Sequence, residues 1–549
     1  MKGVLHMSAE RGQAQSARNL SVPGILIGIV GCVIITASSV YTALKMGALP
    51  WPSIFTSITA LLLLRALGRT SLAEANVTQI IMSAGSMVAG GLAFTIPGIW
   101  MLGYTDEVSW AHMLFVALAG TLLGLVCTAL IRKRFIEESA LEFPIGVASA
   151  QTLKASQAGG KTGAKLFGSM AVAGVWSVAR DVLGIIPAML FALPIPGVSF
   201  GLYNSPMLLS VGFLVGGAAM AFWFGGALLG NLGILVGAPA LGLCNLETAQ
   251  GVVSSLGMGL MMGSGLGVIV RDILPQVFGR LRGGKDGDAA RASFVSELHP
   301  GTLALLVAAA ALLVCFGLGL GPLVALVVVA MSFVTTIMSA QSVGQTGIDP
   351  MEIFGLIVLL GVAALGESNQ VKLFFVAGVI AVACGLAGDV MSDFKAGHIV
   401  GGNPRDMWIG QAIGAVLGSV VSVAVLVALV SAYGTGAFGP GQQFVSAQAS
   451  VVATMVSGIP NVPAFVVGLV AGIVLYCLGL PSMMIGLGVY LPFYMSLTAP
   501  IGALVKLVWD RAHKGDAEEE GIVIASGLLG GESIVGVIIA LVTVVTSMG

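Results

Sequence analysis

Apolar stretches as long as a membrane-spanning helix recur from about Pro23 to Thr546, and short polar breaks separate them. A spanning α-helix needs roughly 20 mostly apolar residues. Long unbroken runs such as Ala304–Gly321 argue against the short alternating strands of a membrane β-barrel. The pattern predicts an all-α polytopic membrane protein with about 16 transmembrane helices (14–16), some of them short or re-entrant.

The composition also indicates that lipid surrounds most of the protein. Hydrophobic residues make up 57% of the 549 residues, charged residues make up 9%, and the mean hydropathy is +1.02. A soluble domain carries about 25% charged residues because it must cover its surface with them. The net charge of −1 provides no basic field for nucleic acid, and the six cysteines lie singly without a CxxC pair. We therefore predict no cofactor, no metal site and no nucleic-acid partner.

The positions of lysine and arginine divide the chain and predict its orientation. We predict a cytoplasmic tail (1–20), an N-terminal transmembrane half (21–279), a cytoplasmic linker (280–299) and a C-terminal transmembrane half (300–549). Basic residues that mark the cytoplasmic loops are Lys2, Arg11, Arg18, Arg65, Arg69, Arg132, Lys133, Arg134, Arg280, Arg282, Lys285 and Arg291. The loop Tyr104–Trp110 has neither lysine nor arginine and fits the outside. The polar, mixed-charge start is unlike a cleaved signal peptide, so the first spanning helix is expected to remain as an anchor.

The two halves resemble each other faintly. Ser39, Gly47 and Pro50 reappear 300 residues later as Ser339, Gly347 and Pro350. A second echo, at an offset of 312, relates the segment from Ala84 to Gly90 to the segment from Ala396 to Gly402. The pairs keep the same order at nearly the same offset, which indicates an ancient duplication. Internal repeats with interrupted helices are typical of secondary transporters, which bind substrate near the repeat interface.

Glycine is unusually abundant, with 78 residues. Gly410, Gly414 and Gly418 fall at every fourth position, as do Gly259, Gly263 and Gly267. Stripes of small residues let helix backbones approach closely in lipid. We interpret them as packing surfaces; sliding between helices is the alternative.

Enzyme motifs are incomplete in this sequence. There is no HExxH, and the segment around Gly160-Lys161-Thr162 has Ala155 where a phosphate-binding loop needs its first glycine. Leu386-Ala387-Gly388-Asp389 resembles the GxGD of an intramembrane aspartyl protease but lacks its first glycine. We predict that the protein is not an enzyme.

The richest polar cluster inside an apolar stretch contains Asp389, Asp393 and Lys395. In a helix the two aspartates lie four residues apart on one face, where mutual repulsion favours proton exchange. A cytoplasmic helix end stabilised by charge pairs is the alternative.

Other polar breaks supply further candidates for substrate binding or proton coupling. Lys45 lies at one break, where it meets a carboxylate or extends to the interface, and Gln341 and Gln345 are its neutral counterparts in the second half. Glu142 begins a short segment that we expect to be re-entrant. The remaining candidates are Tyr490, beside Pro492, and Glu532, an isolated acid near an apolar run.

The order of motifs resembles the oligopeptide transporter (OPT) family, bacterial branch, which is related to the yellow-stripe metal-chelate transporters. The resembling segments contain Glu74 and Asn76, Ser83 and Gly85, Ile96 and Pro97, Glu142 to Gly146, Gly388 to Gly397, Asn403 to Arg405, Gly488 to Pro492, and Gly530 to Ser533. They cover nearly the whole chain in family order. Ile145 and the short soluble loops depart from the family pattern. The resemblance implies about 16 helices in repeated halves, and proton-coupled uptake of peptides, peptide-like molecules or metal chelates.

We therefore expect a proton-coupled symporter in a bacterial inner membrane, with the N-terminus in the cytoplasm. Asp389 or Glu142 is the expected proton-responsive group, and Lys45 or Lys395 the expected charge partner. The expected partners are a small peptide or peptide-like substrate, protons and the lipid bilayer, and a homo-oligomer is left open. A passive channel, which would need a pore-lining ring from identical subunits, is the alternative. An intramembrane hydrolase is a third hypothesis.

Overall fold

The computed structural model describes residues 19–548 except residues 48, 50, 51, 140, 142, 158–161, 269, 272–297, 348, 458 and 513–516. In this part the chain is mostly helical, with one two-stranded sheet. Within the described residues, eight helices are long and apolar enough to cross a membrane, and five more are apolar but shorter. The predicted all-α polytopic membrane fold is confirmed.

The N-terminal half begins with long helices and ends with broken ones. Its elements are α1 (Val22–Met46), α2 (Pro52–Ala66), α3 (Leu72–Ala93), α4 (Pro97–Met101), α5 (Trp110–Lys133, followed by a π-helical turn at Arg134–Glu138), α6 (Pro144–Gln157), α7 (Thr162–Asp181), β1 (Met189–Ile195), β2 (Val198–Tyr203), α8 (Pro206–Val215), α9 (Gly217–Ala227, continued by a π-helix at Leu228–Gly237 and by Ala238–Ala240) and α10 (Leu246–Val268).

The C-terminal half has one additional helix at its start. Its elements are α11 (Pro300–Leu312, continued by a π-helical turn at Leu313–Gly317), α12 (Pro322–Thr346), α13 (Met351–Ala364), α14 (Gln370–Ala387), α15 (Asp389–Val400), α16 (Pro404–Tyr433, followed by a 3-10 turn at Thr435–Ala437), α17 (Ala447–Ser457), α18 (Val462–Cys477), α19 (Ser482–Tyr490), α20 (Phe493–Ala512) and α21 (Ala517–Met548). The predicted linker 280–299 lies mostly outside the described residues.

The order of elements after α11 repeats the order from α1. Helices α1, α5, α6, α7 and α10 correspond to α12, α16, α17, α18 and α21, and the contacts correspond as well, because α7 packs on α21 while α10 packs on α18. This agreement supports the duplication and the echo at an offset of 300. The echo at an offset of 312 pairs α3, the third helix of its repeat, with the end of α15, the fourth helix of the other, so it is not part of this correspondence.

The repeats run in opposite directions. The Asn403 N–H, just before α16, donates to Asn19 Oδ1 beside the start of α1 (2.7 Å), and Trp408 Nε1 donates to Leu125 O in the second half of α5 (2.9 Å). The start of α5 is therefore remote from the start of α1, and Gly317, just before α12, packs against Phe115 near that remote end. Because α1 and α12 enter from opposite sides, the repeats have the inverted topology of many secondary transporters.

Basic residues at the ends of several helices lie on one side of the molecule. On the side where α1 begins, α2 ends with Arg65, α5 ends with Arg132 and Lys133, and α16 begins with Arg405. We call it the basic side.

Local capping explains where many of these helices begin. The Ser21 hydroxyl accepts from Gly24 N at the start of α1 (3.0 Å), and the Asn369 and Asn461 side chains accept in the same way at α14 and α18 (3.0 Å each). Side chains of this type satisfy N–H groups that have no partner within the helix.

The hydropathy pattern did not predict the β-hairpin. Strands β1 and β2 pair antiparallel around Pro196-Gly197, with Gly197 at φ 79°. Proline followed by a left-handed glycine forms a tight turn. The strands are as apolar as the neighbouring helices, so composition does not distinguish them from a short helix.

The two glycine stripes lie where helices cross. An ideal Cβ at Gly414 or Gly418 of α16 would collide with backbone atoms of Ile81 or Gly85 in α3. An ideal Cβ at Gly263 of α10 would lie 2.9 Å from Cα of Gly472 in α18. The packing interpretation accounts for both stripes.

Candidate functional site

Two helices end at left-handed glycines that are 300 positions apart. Helix α1 ends at Gly47 with φ 64°, and α12 ends at Gly347 with φ 74°. Glycine adopts this conformation without the clash of a Cβ. A shorter helix follows each glycine, so the two halves contain breaks at corresponding places. The counterpart of Pro350 at the first break, Pro50, lies outside the described residues.

Each break is held by a short helix of the other half. The Phe143 N–H, just before α6, donates to Gly344 O (3.0 Å), and the Ser446 N–H, just before α17, donates to Leu44 O (2.9 Å). In the described part, Phe143 and Ser446 are the two non-glycine residues with positive φ, at 51° and 46°. We call these contacts the α6 junction and the α17 junction. Their equivalence indicates that they are related by the inverted repeat.

A cavity of about 150 Å³ lies between the two breaks, and Gly47 and Gly347 both belong to its wall. Ile145 of α6 and Gln448 of α17 also line it, and Gln448 Nε2 donates to Gly47 O (3.1 Å). The rest of the wall is mostly apolar, including Trp223. Elements of both halves therefore line one central chamber.

Three carboxylates line this cavity: Asp349, Glu352 and Asp389. Both Asp349 oxygens are buried and make no hydrogen bond to a described residue, and Glu352 is buried in the first turn of α13. Among the described lining residues there is neither lysine nor arginine. Burying an unpaired carboxylate is costly, so such groups within a membrane usually serve a function.

Gly388 lets these acids come together. It separates α14 from α15, and Asp389 is the first residue of α15. An ideal Cβ at Gly388 would lie 2.8 Å from Asp349 Oδ2 and would collide with Ser339 Oγ. The missing side chain therefore allows α14 to pack directly against the break between α12 and α13.

Asp393 faces a different environment from Asp389, although the two are four residues apart. It is fully buried and accepts from Gln79 Nε2 (2.6 Å) and Ser83 Oγ (2.5 Å) of α3, while Asn76 Nδ2 donates to its backbone oxygen (3.1 Å). Its carboxylate joins α15 to α3 and is not part of the cavity wall.

The two candidate lysines lie near the junctions, outside the cavity wall. Lys395 Nζ donates to Leu141 O (3.1 Å) and lies 6.0 Å from the Phe143 ring centroid, at the α6 junction. Lys45 Nζ lies 5.8 Å from the Tyr41 ring and 6.0 Å from the Phe444 ring, near the α17 junction. No described carboxylate lies within ion-pair distance of Lys45.

Four further candidates are Gln341, Gln345, Glu142 and Tyr490. Gln341 and Gln345 lie on the last turns of α12 before Gly347, and Gln341 is partly buried. Glu142 lies outside the described residues, but α6, which follows it, is short as expected. Tyr490 ends α19 beside Gly257 of α10.

Glu532 belongs to a buried polar cluster. It pairs with Arg180 Nη2 (2.8 Å) and accepts from Ser205 Oγ (2.9 Å) and Met207 N (2.8 Å). Arg180 also pairs with Asp181 (2.7 Å). The cluster joins α21 to α7 and to the start of α8.

Sequence reasoning missed Asp349 and Glu352. Both follow Gly347 directly, in Gly347-Ile348-Asp349-Pro350-Met351-Glu352, at the break that the repeat had identified. Two acids three positions apart immediately after a predicted helix break were the available signal.

Known proteins that resemble this chain identify its family. The family model described as "OPT oligopeptide transporter protein" matches residues 20–273 and 281–543. The chain belongs to this family. It is therefore a transporter and not an enzyme, as predicted. The "Putative oligopeptide transporter" of Haemophilus influenzae is 25% identical over 91% of this chain and 92% of its own length.

A plant relative covers a smaller part of this OPT chain. The "Metal-nicotianamine transporter YSL2" of Arabidopsis thaliana is 27% identical over 36% of this chain and 32% of its own length. The predicted resemblance to both the oligopeptide and the yellow-stripe branches is confirmed.

Proposed function

We propose that this OPT protein is a secondary active transporter that couples the uptake of an oligopeptide, a peptide-like molecule or a metal chelate to protons. The observation that carries the proposal is the central cavity, in which Asp349, Glu352 and Asp389 meet between the two inverted repeats. Inverted-repeat transporters place substrate and coupling-ion sites at such an interface, beside discontinuous helices.

The unpaired acids can bind both the coupling proton and a cationic group of the substrate. A carboxylate in an apolar cavity is neutralised by a proton or by a cation, because its charge is otherwise desolvated without compensation. Asp389 lines the cavity and is partly exposed, whereas the Asp349 oxygens and the Glu352 side chain are buried. We assign proton exchange and recognition of a substrate ammonium to this set, with Asp389 as the accessible member.

Lys45 is the proposed partner for the negative end of the substrate. Its ammonium rests on the Tyr41 and Phe444 rings, and no described carboxylate pairs with it. It lies two residues before Gly47, which lines the cavity. A ligand with an amine and a carboxylate matches an acidic chamber with a nearby lysine. The relatives named as oligopeptide and metal-nicotianamine transporters support this substrate range.

The sidedness is also a proposal. Arg65, Arg132 and Arg405 lie at helix ends on the basic side, whereas the loop between α4 and α5 has neither lysine nor arginine. By the positive-inside rule the basic side faces the cytoplasm, which places the start of α1 there, in a bacterial inner membrane.

The two junctions favour a carrier over a channel. The α6 junction binds the end of α12 through a backbone hydrogen bond of 3.0 Å. The α17 junction binds the end of α1 through one of 2.9 Å. A chamber between two equivalent contacts suits alternating access, in which one junction opens while the other stays closed.

The test is uptake of a radiolabelled di- and tripeptide mixture into proteoliposomes with an imposed pH gradient, acidic outside. Wild type should accumulate label above equilibrium, and a protonophore should abolish the accumulation. Asp349→Asn, Glu352→Gln and Asp389→Asn should each reduce accumulation at least tenfold, whereas Glu107→Gln in the exposed loop should not. Equal accumulation in all four variants would contradict the site. Accumulation that the protonophore leaves unchanged would contradict proton coupling while leaving the site intact.

A further inference from the structure

A second cavity opens on the surface of the helix bundle, remote from the three acids. It has a volume of about 380 Å³ and is enclosed by α1, α2, α7 and α21. Leu26, Val30 and Ile34 form one wall along α1, and Phe167 of α7 faces them. Leu26 and Val30 are 59% and 62% exposed, so the cavity opens where lipid surrounds the protein. We call it the α1 groove.

The α1 groove reaches deeper than the outer layer of helices. Met82, which is buried on the inner helix α3, contributes to the groove, where it packs against Gly31 of α1. The single polar residue of the described lining is Thr59, whose buried hydroxyl makes no hydrogen bond to a described residue. A chain lying here would contact protein on several sides, unlike a lipid at a flat helix surface.

The length and level of the groove match one leaflet. Leu26 and Ile34 are eight residues apart on α1, which corresponds to about 12 Å along the helix axis. One leaflet contributes about half of the roughly 30 Å hydrocarbon core. The groove lies in the half of α1 nearest the basic side, which is the level of a single acyl chain.

Two ion-paired basic side chains lie at the ends of helices that line the groove. Lys165, two residues before Phe167, is 37% exposed and pairs with Glu520 (2.7 Å), and Arg69 after α2 is 41% exposed and pairs with Glu74 (2.5 Å). Each cation pairs through one nitrogen, and both side chains retain further N–H donors. Each pair is neutral overall, and the spare N–H donors of Lys165 and Arg69 are the groups that could bind a phosphate oxygen.

We propose that the α1 groove binds one acyl chain of a phospholipid, with the phosphate at the level of Lys165 and Arg69. The lipid would fill the space between α1 and the pair formed by α7 and α21, and so stabilise the contact between parts of the two halves. This site is independent of the central cavity and of the substrate.

The test compares groove-filling variants with a matched control. Val30→Trp places a large side chain in the groove, and Val470→Trp places one on α18, where valine is 54% exposed outside the groove. Each full-length protein is purified in a delipidating detergent, and the retained phospholipid per chain is counted by native mass spectrometry. We expect about one retained phospholipid in wild type and in Val470→Trp, and a loss of at least tenfold in Val30→Trp.

A second measurement keeps the proposal testable if Val30→Trp lowers stability by itself. Dioleoylphosphatidylglycerol should raise the melting temperature of delipidated wild type and of Val470→Trp, because a ligand that binds the native state stabilises it. It should leave the melting temperature of Val30→Trp unchanged. Equal lipid retention and equal shifts in all three proteins would overturn the proposal. Retention of detergent, a quinone or a second copy of the chain in place of phospholipid would overturn it as well.

Discussion

Phe143 donates its backbone N–H to the carbonyl of Gly344 over 3.0 Å, which joins the start of α6 to the last turn of α12. The same relationship recurs between Ser446 and Leu44 at 2.9 Å. Leu44 and Gly344 are 300 positions apart, and the two donors share a left-handed backbone. The uncommon conformation at both equivalent positions is a shared feature of the two repeats, because such strain persists where the surrounding structure requires it.

The α17 junction should depend on the backbone of Ser446. Ser446→Val places a β-branched residue at φ 46°, which we expect to cost about 1–3 kcal/mol and to reduce uptake. Ser446→Gly, which adopts this conformation freely, should keep both stability and uptake. Thermal unfolding in detergent and proteoliposome uptake measure the two effects. If the valine and glycine variants behave alike, the junction does not depend on the left-handed residue.

Lys45 should affect recognition of a carboxylate. Lys45→Met should lower uptake of alanyl-alanine roughly tenfold, or about 1.4 kcal/mol, while uptake of its C-terminal amide changes less. Lys45→Arg should restore part of the preference because it keeps the charge. Lys154→Met, at an exposed position of α6, is the matched control. An equal loss for the free peptide and the amide would assign Lys45 a structural role.

Asp393 should affect stability more than coupling. Asp393→Ala leaves Gln79 and Ser83 without their buried acceptor, at a cost of about 1–3 kcal/mol for each unsatisfied group. Asp393→Asn retains one oxygen acceptor and should cost less. The melting temperatures of the purified variants should follow that order. A folded, stable Asp393→Ala protein that has lost only its pH-dependent uptake would show that Asp393 acts in proton coupling.

Gly418 should tolerate no side chain. Gly418→Leu would force apart α3 and α16 at Gly85, and Gly418→Ala should already cost about 1–3 kcal/mol by overpacking. Gly225→Ala in α9, where an ideal Cβ meets nothing within 4 Å, should be neutral or stabilising. Comparison of melting temperatures gives the difference. A neutral Gly418→Leu would remove the packing interpretation of the stripe.

The two candidate aspartates of α15 show which site residues the local sequence can predict. Asp389 was predicted from its position beside an apolar run, and it lines the cavity. Asp393 has the same local signal, yet its carboxylate meets Gln79 and Ser83 on α3. The difference depends on which helix packs on each face of α15, and a sequence read along the chain does not contain that information.

The sequence by itself determined the membrane environment, the helices, the breaks at Gly47 and Gly347, and the family. These properties depend on local hydropathy, on the backbone freedom of glycine and on motif order, all of which are written along the chain. The tertiary structure alone decided that the repeats are inverted, that the hairpin forms strands, and that Asp349, Glu352 and Asp389 meet in one cavity. Those outcomes depend on packing between segments far apart in sequence, where close backbone contacts such as Gly85 with Gly418 determine which side chains face each other.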